Sequence, residues 1–81
     1  MGDTTAERVR RAREQRLIGQ SELARAAGIT QSALWHIEKG DRNPRPSTVR
    51  RLAEAMSQLS GKPVDATELW IAAPEGRDAA G

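Results

Sequence analysis

The 81-residue sequence contains no cysteine, no phenylalanine and no tyrosine, and its only aromatics besides one histidine are two tryptophans. Each absence removes a class of chemistry. Without cysteine there is no disulfide, no thiolate metal site and no cysteine nucleophile, which suits a reducing interior. A single histidine is too few for a metal cluster, which usually draws on several His or Cys ligands. One histidine, no cysteine and no paired carboxylates leave little catalytic equipment, so no enzyme, metal, cofactor or small-molecule ligand is expected. No apolar run approaches the roughly 18 residues of a membrane helix. The start, "MGDTTAERVRRAR", lacks an apolar segment followed by a small-residue cleavage site, so no signal peptide is expected.

The chain is long enough for one domain with a modest core. The net charge is only +2, but it is unevenly spread. Between Arg8 and Arg51 there are 11 Lys and Arg against 4 Asp and Glu. The first seven residues carry two acids, and residues 52–81 carry five acids against two bases. A basic middle between acidic ends suits either a polyanion partner or an ordinary solvated helical surface.

Spacing and punctuation predict an all-α chain of four to five short helices. The first covers residues 4–16, capped by Thr4 or Thr5, with Glu7 in a capping-box position. Ala6, Val9, Arg13 and Leu17 recur at steps of three and four and share one face. Gly19 breaks the pattern, and "QSELARAAG" forms a second helix with Leu23, Ala24 and Ala27 inward. Gly28 suits the left-handed residue that ends it. Thr30 is placed to cap a third helix over residues 31–38, with Leu34, Ile37 and Glu38 on one face. Gln31, Ser32, Trp35 and His36 fall on or near the other. "GDRNPRP" is a turn, and Pro46 opens a fourth helix that runs to about Leu59 with Val49, Leu52, Ala53 and Met56 inward. Gly61 and Pro63 end it, and Asp65 or Thr67 starts a last short helix through "ELWIA". Residues 1–73 are expected to form the domain, and 74–81 a loose tail.

Two short helices joined by a tight glycine-containing turn form a helix-turn-helix. The stretch "GQSELARAAGITQSALWHIEKGDRNPRPSTVRRLAEAM", Gly19 to Met56, resembles the lambda-repressor-like helix-turn-helix family, the Xre or Cro type. Gln20, Leu23 and Ala24 match its second helix, and Gly28 matches its turn. Glu38, Gly40 and Pro44 match the motif after its recognition helix; Leu52, Ala53 and Ala55 match its fourth helix. With Val9 to Arg13 in register, the resemblance covers about three quarters of the chain.

The resemblance implies a sequence-specific transcriptional regulator, a repressor or Cro-like switch, acting as a homodimer on double-stranded DNA with an inverted-repeat operator. It implies a cytoplasmic protein, bacterial or phage-encoded and nucleoid-associated when bound. Gln31, Ser32, Trp35 and His36 are the implied base readers. Gln20, Thr30, Lys39, Arg42, Asn43 and Arg10 are the implied backbone contacts. The family usually carries a small or polar residue where this chain has Trp35, so Trp35 is expected either on DNA, against a thymine methyl or a sugar, or on a neighbouring helix or partner. The segment after the fourth helix often supplies the dimer surface in related repressors, which makes Leu59, Val64, Leu69, Trp70 and Ile71 candidates for it or for capping the core. Arg13 and Glu38 each fall on an otherwise apolar stripe. An unpartnered buried charge is costly, so they are expected to pair, as in family members, linking the first and third helices. Three other readings use the same fold: an antitoxin with a toxin partner bound through residues 60–81, a restriction–modification controller, and an interaction module without DNA binding. RNA polymerase is a further partner to consider.

Overall fold

A computed structural model describes residues 4–70; the expected tail, 74–81, and Ile71 lie outside them. The described residues form five helices and no strand: α1 Thr5–Gln15, α2 Gln20–Ala27, α3 Gln31–Lys39, α4 Pro46–Ser60 and α5 Ala66–Leu69. The central α2 packs on α4 and α3, while α1 lies against α3 and α5, and α4 also meets α5. Val9, Leu23, Leu34, Val49, Leu52, Met56 and Leu69 are fully buried at the centre. Leucine, valine, methionine and alanine thus build a core in a chain that has almost no aromatics.

Local signals explain each boundary. Thr4 Oγ1 accepts from the Glu7 N–H at 3.1 Å, capping α1. Pro46 occupies the first turn of α4, where its missing N–H costs nothing. Asp65 Oδ1 accepts from the Thr67 N–H at 3.0 Å and starts α5. This bond, first among its causes, lowers the Asp65 pKa below its ordinary value of 3.8.

The end of α1 differs from the spacing argument. Periodicity places Leu17 inward with Val9, but α1 stops at Gln15 and Leu17 is 92 % exposed. The Ile18 N–H reaches the Arg13 carbonyl at 3.2 Å and the Leu17 N–H reaches that of Glu14 at 3.0 Å. This pair of bonds is the Schellman pattern, which requires a left-handed residue, here Leu17 with φ 56°. The turn throws Leu17 outward and delivers Ile18 to the core in its place.

The segment after α4 is folded back by one hydroxyl. Ser57 Oγ donates to the Ala53 carbonyl at 2.8 Å and accepts from the Val64 N–H at 2.8 Å. This tether lays residues 64–69 over the helix bundle, and Val64 and Leu69 become part of the core. Both are candidates for a dimer surface or for capping the core; within the single chain they are buried, as the second role requires. Leu59 remains 38 % exposed and Trp70 is half-buried against the core.

Candidate nucleic-acid interface

The geometry of α2 and α3 follows from three small features. Ala24 is buried and short, so the two helices approach closely. Gly28 is left-handed at φ 77°, and the Ile29 N–H bonds the Ala24 carbonyl at 3.0 Å, which closes α2 and sends the chain toward α3. Thr30 Oγ1 accepts from the Ala33 N–H at 3.0 Å and caps α3. Thr30, expected at the DNA backbone, is exposed in that capping position.

Leu34, Ile37 and Glu38 bury the inner face of α3. Gln31, Ser32, Trp35 and Lys39 are exposed along the outer face, and His36 is partly exposed beside them. The four expected base readers therefore lie together on the outward side of one helix.

What fixes that helix is a buried ion pair. Arg13 Nε donates to Glu38 Oε2 at 2.7 Å, and Arg13 Nη2 donates to Glu38 Oε1 at 3.0 Å. The fork is two-pronged, as planar guanidinium and carboxylate favour. Arg13 Nη1 donates to the Ile18 carbonyl at 3.0 Å, so the same side chain also holds the α1–α2 turn. The side chains are only 13 % and 4 % exposed. The hydrogen bonds to Glu38 raise the Arg13 pKa further, against the opposing effect of burial. Arg13 therefore stays charged across the working pH range.

From Glu38 a relay runs outward. Gln20 Nε2 donates to Glu38 Oε1 at 3.1 Å, and Gln31 Nε2 donates to Gln20 Oε1 at 3.4 Å. A carboxylate only accepts, so Gln20 must turn its NH₂ inward and its carbonyl oxygen toward Gln31. Gln20, expected at a phosphate, thus has both ends of its amide engaged inside the protein. A phosphate is left its second N–H hydrogen. The bridging position was not legible from spacing, because Gln20, Gln31 and Glu38 meet only through the crossing of α2 and α3.

A second cluster sits at the far end of α3. Lys39 Nζ lies 4.4 Å from the centroid of the Trp35 ring. The Trp35 and His36 rings meet edge to face at 4.9 Å and 84°. His36 Nδ1 lies 3.2 Å from Asp41 Oδ2, and Lys39 Nζ 3.9 Å from the same oxygen. Asp41 is a member of the site that the sequence reading omits. Its signal is Gly40: a left-handed residue there brings the Asp41 N–H to the His36 carbonyl at 3.0 Å and stacks position 41 over position 36.

Arg42 and Asn43 are exposed in the turn that follows, and Arg10 is exposed on α1. Arg10 shares a cleft of about 250 Å³ with Arg13, Gln20, Trp35, Glu38 and Lys39. The cleft brings Arg10 alongside α3; Arg42 and Asn43 stand apart from it. Among the described residues no group of three or more His, Cys, Asp or Glu is placed to hold a metal ion. No described helix is long and apolar enough to cross a membrane.

Comparison with known proteins agrees with this geometry. A family model described as a helix-turn-helix domain matches residues 6–66. The chain is 34% identical over 55 residues to the HTH-type transcriptional repressor RghR of Bacillus subtilis (strain 168), covering 67% of this chain and 41% of that protein. The chain thus spans less than half the length of that curated relative. Its fold is similar to the crystal structure of the restriction-modification controller protein C.AhdI from Aeromonas hydrophila, with a TM-score of 0.71 and 26% identity. That similarity covers 82% of this chain and 91% of that one.

Proposed function

The chain belongs to the helix-turn-helix domain family, whose model spans residues 6–66, and on that premise we propose that it is a sequence-specific DNA-binding transcriptional regulator working as a homodimer. It acts in the cytoplasm by occupancy rather than catalysis. Two copies of α3 enter successive major grooves about 34 Å apart on an inverted repeat and obstruct or recruit polymerase.

The observation that carries this reading is the outward row of Gln31, Ser32, Trp35 and His36 on a helix held by a buried ion pair. Gln31 spends one N–H on Gln20 and keeps its carbonyl oxygen and second N–H hydrogen for a base. Adenine offers the matching N6 and N7 edge, a pairing that discriminates by about 1–3 kcal/mol. Ser32 and His36 reach adjacent bases or phosphates. Arg42, Asn43, Lys39, Thr30 and Arg10 surround the row and meet phosphates, and Gln20 uses its remaining hydrogen there. Leu59 and Trp70 are the described residues left for the dimer contact.

Selection of bound sites from a random duplex pool tests the reading and yields half-site sequence, symmetry and spacing together. With the selected operator, Gln31→Ala relaxes preference at one base pair, whereas Arg42→Ala weakens all sites alike and lowers the salt slope by about one. The opposite pattern would mean that reader and clamp have been exchanged.

A more specific reading has its own support. The similarity to C.AhdI extends over 91% of that controller's chain, so the described unit corresponds to nearly all of it. This similarity is what supports a restriction–modification controller as the second reading. On that reading the selected operator lies among restriction–modification genes; an operator elsewhere argues against it.

A further inference from the structure

Three large hydrophobic side chains are exposed among the described residues: Leu17, Trp35 and Leu59. Only Trp35 shares a face with Gln31 and Ser32, one helical turn beyond Gln31. It is 45 % exposed. Its ring is not loose. Lys39 covers one ring face with its ammonium at 4.4 Å, and the His36 ring abuts it at 4.9 Å. An aromatic with two torsions, braced on two sides, presents its remaining apolar surface at little entropic cost.

The bases determine what that surface can meet. Along the major groove, base edges offer hydrogen-bond donors, hydrogen-bond acceptors and a single kind of apolar group, the C5-methyl of thymine. Apart from its single N–H donor, an indole is carbon surface, and carbon facing donors and acceptors would desolvate them without replacing their hydrogen bonds, which is unfavourable. Against a methyl, both apolar groups leave water together. We infer that Trp35 is a specificity-determining residue that reads the methyl group of a thymine near the base pair contacted by Gln31. The inference rests on the DNA-binding function proposed above. It gives the chain a preference that hydrogen-bonding side chains at this position do not produce.

The test uses the full chain and the selected operator. Each thymine is replaced in turn by deoxyuridine, which removes the methyl and nothing else. Burial of one methyl-sized group corresponds to about fourfold in affinity. Affinity is expected to fall by that factor at one thymine in each half-site and to hold elsewhere. Trp35→Ala is expected to bind the parent operator more weakly and to be indifferent to uridine at that position. Equal affinity for every uridine-substituted duplex would overturn the inference, as would a uridine effect that persists undiminished in Trp35→Ala. Either result leaves DNA binding itself intact. Failure of the folded wild-type chain to bind any duplex at low ionic strength would instead overturn the underlying function.

Discussion

Glu38→Ala should destabilise this fold strongly, because it breaks a buried ion pair from one side. The carboxylate is 4 % exposed and accepts from both Arg13 and Gln20. Its loss leaves Arg13, itself only 13 % exposed, with the Ile18 carbonyl and a distant contact to Glu14 at 3.9 Å. Breaking a buried pair from one side costs about 3–5 kcal/mol, because the surviving charge stays desolvated. For a domain of this size each kcal/mol moves Tm by roughly 4–8 °C, so the melt should fall by at least about 12 °C. Circular dichroism at 222 nm across a thermal ramp measures it. The companion variant Arg13→Met/Glu38→Leu removes both charges and fills the space. It should recover most of the lost stability, since an apolar pair of similar volume is commonly neutral or better in such a site. That double variant also deprives Gln20 of its acceptor. It should therefore melt near wild type yet show relaxed base preference at the position proposed for Gln31. An unchanged melt for Glu38→Ala, or single and double variants that simply add, would refute the reasoning.

Other outcomes follow from single contacts. Leu17→Gly should raise stability by a net of about 0.5–1 kcal/mol. A left-handed leucine is strained by about 1–2 kcal/mol, and glycine gives back part of that in unfolded-state entropy; a lowered Tm contradicts this. Ser57→Ala leaves the Val64 N–H unpaired under α4 and should destabilise by about 1–3 kcal/mol, read from urea midpoints; no change would mean that the hydroxyl is not the tether. The Asp65 pKa is lowered in the folded chain by its bond from the Thr67 N–H. Its cap therefore stabilises the fold above the ordinary carboxyl range, and the effect is lost as pH falls through the depressed value. Wild type and Asp65→Ala should differ at neutral pH and converge in acid melts, and a gap that stays constant to low pH would assign it to another cause.

The parts of the fold legible in the sequence are those that depend on neighbours close along the chain. The capping role of Thr30, the stop at Gly28 and the inward set Leu23, Ala24 and Ala27 need nothing beyond a helical turn of context. Arg13 and Glu38 are legible for another reason. A charge on an apolar stripe requires a partner, and such stripes hold few candidates. Leu17 marks where this logic ends. Periodicity continues through a helix end unless something punctuates it, and a leucine in the left-handed position leaves no compositional trace. Val64 and Leu69 mark a second boundary. Apolar residues after the last long helix cover either their own core or a second copy's, and only the path taken by the chain decides. Among the bonds along that path are those of one serine hydroxyl, which the sequence does not distinguish from any other.

The relay from Arg13 to Gln31 joins the stability of the fold to the proposed recognition in one set of atoms. If the pair only bonded α1 to α3, a hydrophobic contact would serve as well and desolvate nothing. A carboxylate at position 38 does something an apolar group does not: it accepts, and so forces Gln20 to present an oxygen to Gln31. The amide of Gln31, the proposed reader, is thereby biased to one orientation before any duplex arrives. An amide free to rotate would offer its donor and acceptor in either order and lose part of its discrimination to the entropy of choosing. With Gln31 as the reader proposed above, the buried charge at position 38 is better explained by the readout it organises than by the stability it contributes.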